Sequence, residues 1–88
     1  MKPPSSDFAP NLRHALTRLG WNATQLGDEI RCPERRTRRI VAGHTRPALE
    51  DVLPIAKAVG VRPEHLAWMS ATAFRMRYPS PTPRGTPT

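Results

Sequence analysis

The segment Arg31-Cys-Pro-Glu-Arg-Arg-Thr-Arg-Arg-Ile-Val-Ala-Gly43 most constrains how this chain can fold, because it holds five arginines in thirteen residues. Charge that dense cannot enter a core and would ordinarily mark a solvated tail. Here, however, Thr37, Ile40 and Val41 recur at helical spacing and Gly43 supplies a stop. At 100° per residue these three share one side of a helix, Arg35 and Arg39 take the opposite side, and Arg36 and Arg38 take the flanks. The spacing therefore predicts a helix over 33–42, packed on one side and cationic on the other. Arg35 and Arg39 form a like-charged i,i+4 pair that weakens an isolated helix, and a polyanion would relieve it. Such a helix suits a groove, with two guanidiniums at the floor and Arg36 and Arg38 each facing a phosphate wall.

The 88 residues suffice for one domain with a modest core. The net charge of +7 favours a polyanion as partner, and its distribution is more informative than its size. Residues 1–30 balance at three basic and three acidic, whereas 31–46 set six arginines against Glu34. Residues 47–70 carry −1 and 71–88 carry +3. The excess is focused on one element. A single cysteine, Cys32, excludes an internal disulfide framework and fits a reducing compartment. His14, His44 and His65 are scattered without zinc-ligand spacing, so no metal or other cofactor is expected. The start, Met-Lys-Pro-Pro-Ser-Ser, lacks the apolar core of a signal peptide, and no run reaches membrane-spanning length. These features predict a soluble cytoplasmic, nucleoid-associated protein with no membrane partner.

Most of the eleven prolines lie toward the ends, so residues 1–6 and 79–88 are expected to be flexible tails around an ordered part. Five helices are expected inside it. The first covers about 8–19, burying Phe8, Leu12, Ala15, Leu16 and Leu19 and stopping at Gly20. The second opens at Asn22, with Gln25 placed for a capping box, and buries Leu26 and Ile30. Gly27 on this helix would let a neighbour approach closely. The third runs from about Pro33 to Gly43. The fourth runs from Leu49 to Val59, burying Leu49, Val52, Leu53, Ala56 and Val59, with Pro54 inside it as a source of mild kinking. The fifth begins near Pro63 and carries Leu66, Trp68 and Met69. Residues 74–78 alternate apolar and basic, which fits a short strand pairing with a second copy of the chain or a continuation of the fifth helix.

The second and third helices, joined around Arg31–Cys32, have the form of a helix-turn-helix. Over about residues 8–70 the chain resembles the lambda-repressor-like, or XRE-type, DNA-binding domains. Its landmarks are Gly20-Trp-Asn-Ala-Thr-Gln-Leu26, Gly43-His-Thr-Arg-Pro47 and Ile55-Ala-Lys-Ala-Val-Gly-Val61, in the family's order. The resemblance implies an all-α, compact five-helix domain over 7–70; the apolar residues of 71–78 make that stretch an expected dimerisation segment. It also implies base contacts from Glu34, Arg35 and Arg39, and backbone contacts from the loop His44, Thr45 and Arg46. Several positions depart from the family pattern. An arginine of the first helix and a glutamate of the third, paired in many members, are replaced here by Leu16 and Val41; losing both avoids an unpaired buried charge. Ala23 replaces a phosphate-contacting glutamine, Arg31 stands where the turn normally has glycine, and Thr37 replaces Ile or Val.

Other candidate sites have simpler explanations. Glu34 can accept from cytosine N4 or pair with Arg38 one turn on. Asn22 is a cap first and a phosphate contact second. Cys32 and His44 suggest a nucleophile and base, but no third group accompanies them, so Cys32 is expected to be a small core residue and no catalytic residue is expected. Trp68, Met69, Phe74, Met76 and Tyr78 exceed what so small a core can cover and are expected to form a homodimer surface. Together these features predict a sequence-specific transcriptional regulator, a homodimeric repressor binding double-stranded DNA. Two rival functions fit the same motif: an antitoxin whose 71–88 segment binds a toxin partner, and an architectural DNA-binding protein of low specificity.

Overall fold

The computed structural model describes residues 4–80, which fold into six α-helices with no strand among them. They are α1 (Phe8–Leu19), α2 (Ala23–Ile30), α3 (Glu34–Ala42), α4 (Leu49–Val59), α5 (Pro63–Trp68) and α6 (Ala71–Arg77). Glycines at positive φ end three of them: Gly20 after α1, Gly43 after α3 and Gly60 after α4. No helix is long and apolar enough to cross a membrane among the described residues.

The elements start where local chemistry directs. Asn22 accepts from the Gln25 amide at 2.9 Å while Gln25 Oε1 accepts from the Asn22 amide at 2.8 Å, completing the expected capping box. Asp51 Oδ2 accepts from the Ala48 amide at the start of α4, and Pro63 occupies the first turn of α5. The core joins Phe8, Leu12, Ala15 and Leu16 of α1 to Leu26, Ile40, Val52, Ile55, Ala56, Val59, Leu66 and Phe74. Asn11 was not expected inside, yet it is buried. Its Nδ2 donates to the carbonyls of Leu66 at 3.2 Å and Met69 at 2.8 Å, tying α1 to the end of α5. Its Oδ1 is buried without a hydrogen-bond partner.

Three expectations need correction. Residues 74–77 belong to a separate helix, α6, which Ser70 starts by accepting from the Ala73 amide and Tyr78 caps at its end. The alternation that suggested a strand also satisfies a helix with i and i+4 apolar positions, and here Phe74 and Tyr78 are that pair. Both are buried in the monomer, Phe74 at 0% exposure, so neither is free for a dimer surface. Residues 4–6 are likewise not all loose: Pro4 is buried and the Ser5 amide donates to the Ala67 carbonyl at 2.8 Å. Residues 1–3 and 81–88, expected as tails, lie outside the described residues. Finally, Leu19 and Leu53 are exposed, while Ile55, absent from the expected core, is buried. Leu53 sits about 100° from Val52 around α4, beyond the edge of the buried stripe.

Tyr78 fastens α6. Its hydroxyl accepts from the Arg62 amide and lies 2.7 Å from His65 Nδ1, and its carbonyl accepts from His14 Nε2 at 2.6 Å. Phe74 packs edge-on to His14 and tilted against Tyr78. Because Phe74 is fully enclosed, Phe74→Ala is expected to destabilise the fold by about 3–5 kcal/mol. Urea denaturation checks this; an unchanged midpoint would show that α6 is dispensable.

Candidate nucleic-acid interface

Helix α3 packs on the core through its inner side. Ile40 and Thr37 are buried, at 2% and 1% exposure, and Val41 packs against the core edge. Thr37 keeps its hydroxyl satisfied by donating to the Pro33 carbonyl at 3.0 Å. Opposite it stands Gly27 of α2, where a Cβ would lie 2.9 Å from the Cys32 carbonyl oxygen and 3.0 Å from Thr37 Oγ1. The absent side chain allows α2, the turn and α3 to close on each other, as the sequence suggests. Arg13 of α1 donates to the Val41 carbonyl at 2.8 Å, satisfying one of the unpaired carbonyls at the end of α3.

The turn itself carries strain. Arg31 is the one non-glycine residue at positive φ among the described residues, at φ 57° and ψ 47°. It adopts the left-handed conformation that a glycine would enter without cost, and its amide donates to the Gly27 carbonyl. Cys32 is half-buried rather than fully inside. With Ile30, Pro33, Arg36, Asp51 and Pro54 it borders a pocket of about 200 Å³ between the turn and α4.

The outer face of α3 sorts its arginines into two sets. Arg36 turns to α4 and pairs with Asp51 at 2.8 Å, which holds its guanidinium above the ordinary arginine range, first through that hydrogen bond and then through charge attraction. Arg38 pairs with Glu34 at 2.5 Å, the i,i+4 arrangement considered for Glu34. Arg35 has no ion pair or hydrogen bond among the described residues, and Arg39 donates to Thr45 Oγ1 at 3.2 Å without a carboxylate partner. Glu34, Arg35, Arg38 and Arg39 line one open surface.

The remaining candidates flank this surface or lie away from it. His44 and Arg46 are exposed in the loop after α3, and Thr45 is half-buried there. Asn22 is exposed at the start of α2 with its Oδ1 committed to the cap. Of the expected dimer residues, Met76 is 78% exposed, and Trp68 and Met69 pack partly buried against the core. Among the described residues no three His, Cys, Asp or Glu side chains converge as a metal site requires. Sequence reasoning missed Arg13 and Asn11, which fix the position of α1; each is an isolated polar residue on a helix, with no local pattern to mark it. Comparisons with known protein families, curated proteins and solved structures returned no match.

Two substitutions test the turn. Gly27→Ala is expected to destabilise the protein by about 1–3 kcal/mol, because backbone and a packed side chain must give way. Arg31→Gly is expected to stabilise it by roughly 1 kcal/mol by removing the left-handed strain. Thermal unfolding reads both, and the two shifts should be opposite in sign.

Proposed function

We propose that this chain is a sequence-specific DNA-binding regulator of transcription, acting as a homodimeric repressor through a lambda-repressor-like helix-turn-helix formed by α2 and α3. The observation that carries the proposal is the division of arginines on α3. Arg36 and Arg38 have carboxylate partners, whereas Arg35 and Arg39 stand one turn apart on the outer side with none. Guanidiniums so placed suit bidentate hydrogen bonding to guanine O6 and N7 in the major groove. Arg46 and His44 in the following loop suit the phosphate backbone, which fixes register without reading sequence.

The glycine-permitted closure at Gly27 supports the same proposal, since base reading requires a helix held at a fixed angle. Glu34, engaged with Arg38, is better placed as a support for that arginine than as a reader of cytosine. Dimerisation enters because one short recognition helix contacts few base pairs, and a two-fold pair would span half-sites about 34 Å apart. Met76, with Trp68 and Met69, is the part of the expected dimer surface still open to a second copy. Steric exclusion of polymerase would then give repression.

Selection of bound sites from a randomised duplex library is expected to return a near-palindrome with G·C pairs in each half-site. On that site Arg39→Ala should lose about 1–3 kcal/mol and relax the preference at one guanine. Arg46→Ala should weaken every sequence alike and flatten the salt dependence by about one unit of slope. Equal loss on selected and random DNA for Arg39→Ala would remove it as a base reader.

A further inference from the structure

We propose that the face shared by α1 and α6 is a second site for a DNA phosphodiester backbone, occupied by a second duplex segment, so that one chain holds two duplexes. The proposal rests on the function proposed above for the first duplex, on α3, and adds a surface that this function does not use.

The charge of this face is one-sided. Helices α1 and α6 together carry Arg13, Arg18, Arg75 and Arg77 and contain no carboxylate. Asp7, which precedes α1, is half-buried and accepts from the Ala71 amide at 3.2 Å. Between the helices lies an open pocket of about 230 Å³ lined by Pro10, Arg13, His14, Thr17 and Arg75. Arg13 is anchored by its bond to the Val41 carbonyl and keeps further donors free, because a guanidinium carries five N–H groups. Thr17 donates back to the Arg13 carbonyl, and His14 is held against Tyr78. Arg75 is exposed and has no partner among the described residues. Beside the pocket, Arg18 and Arg77 each stand 5.3 Å from the centroid of the Tyr78 ring. Two like charges gathered over one ring repel, and an anion seated nearby offsets that repulsion.

The chemistry favours a polyanion over a protein. A stable protein interface centres on buried apolar and aromatic side chains, and the pocket between α1 and α6 is lined by no large aliphatic side chain. Paired guanidiniums with N–H groups left over, such as those of Arg13 and Arg75, are instead a phosphate-binding set.

The placement favours a second duplex over the flank of the first. Around α1, Ala9 faces the end of α3 at Gly43, and Arg13, about 40° further round, both reaches the Val41 carbonyl and lines the pocket with Arg75. Asp7, His14 and Arg18 face α6 and the residues after it. At 100° per residue Ala9 and this group occupy opposite flanks of α1. Helix α1 packs against both α3 and α6. Arg35 and Arg39 stand on the side of α3 opposite its buried stripe, whereas Arg75 stands on α6, so the two cationic surfaces belong to separate helices.

The test uses the full chain on an immobilised duplex carrying the selected site, challenged with a labelled duplex of unrelated sequence. The wild-type chain is expected to capture the second duplex. Arg75→Glu should reduce capture by about tenfold at low salt while leaving occupancy of the first duplex unchanged. Arg18→Gln provides a second variant on the other helix, with circular dichroism confirming that both remain folded. No capture by wild-type protein that holds the first duplex overturns the second site and leaves the proposed function standing. Capture that neither variant alters also overturns it, since bridging would then run through α3 of two protomers. Should no sequence be preferred on α3, the proposed function fails, and the second site is decided by whether binding of a plain duplex falls with Arg75→Glu; an unchanged affinity overturns it.

Discussion

Helix α3 is too highly charged to hold itself in place, so the arrangement of this protein depends on the close approach at Gly27. Only Thr37, Ile40 and, at the edge, Val41 turn inward from α3, a narrow stripe for a helix whose other residues are mostly charged. Seating that stripe requires the backbone of α2, the Cys32 carbonyl and the Thr37 hydroxyl to meet within a space that no side chain can share. Arg31 accepts a left-handed backbone to make the same turn. The strain at Arg31 and the vacancy at Gly27 are therefore two parts of one solution, a connection of three residues between helices that must touch.

Polar groups reinforce this geometry from outside. Arg13 supports the carboxyl end of α3 from α1, and Asp51 engages Arg36 from α4 while also ordering the first turn of its own helix. Neither contact needs to be strong, since exposed ion pairs contribute little on average. Their effect is on direction: they draw Arg36 to one side and leave Arg35 and Arg39 outward. Charge is thus sorted by whether an acid lies within reach, and the acids are few.

Much of this was legible in the sequence because it is local. Gly20, Gly43 and Gly60 punctuate helices, Asn22 and Gln25 make a cap, and the stripe through α3 is set by spacing alone. What escaped notice was non-local. Phe74 and Tyr78 sit at positions compatible with strand or helix, and only the company of His14, Arg18 and His65 decides their fate. Asn11 resembles an exposed polar residue until the end of α5 is brought over it. Leu53 is apolar yet falls outside the buried stripe, which periodicity blurs where the helix carries an internal proline. The arginines without carboxylate partners could be counted beforehand, but not distinguished from those that find one.

The fastening of α6 onto α1 also affects how the chain comes to fold during synthesis. The contacts that complete α1 come from far downstream: Asn11 waits for Met69, and His14 for Tyr78, a separation of 64 residues. Until α5 and α6 have emerged, the part of α1 that they contact stays uncovered, although α3 and α4 already pack on the rest. Long-range closures of this kind slow folding relative to helical proteins built from neighbouring contacts. The nascent chain therefore completes the core around α1 only after α6 has been made.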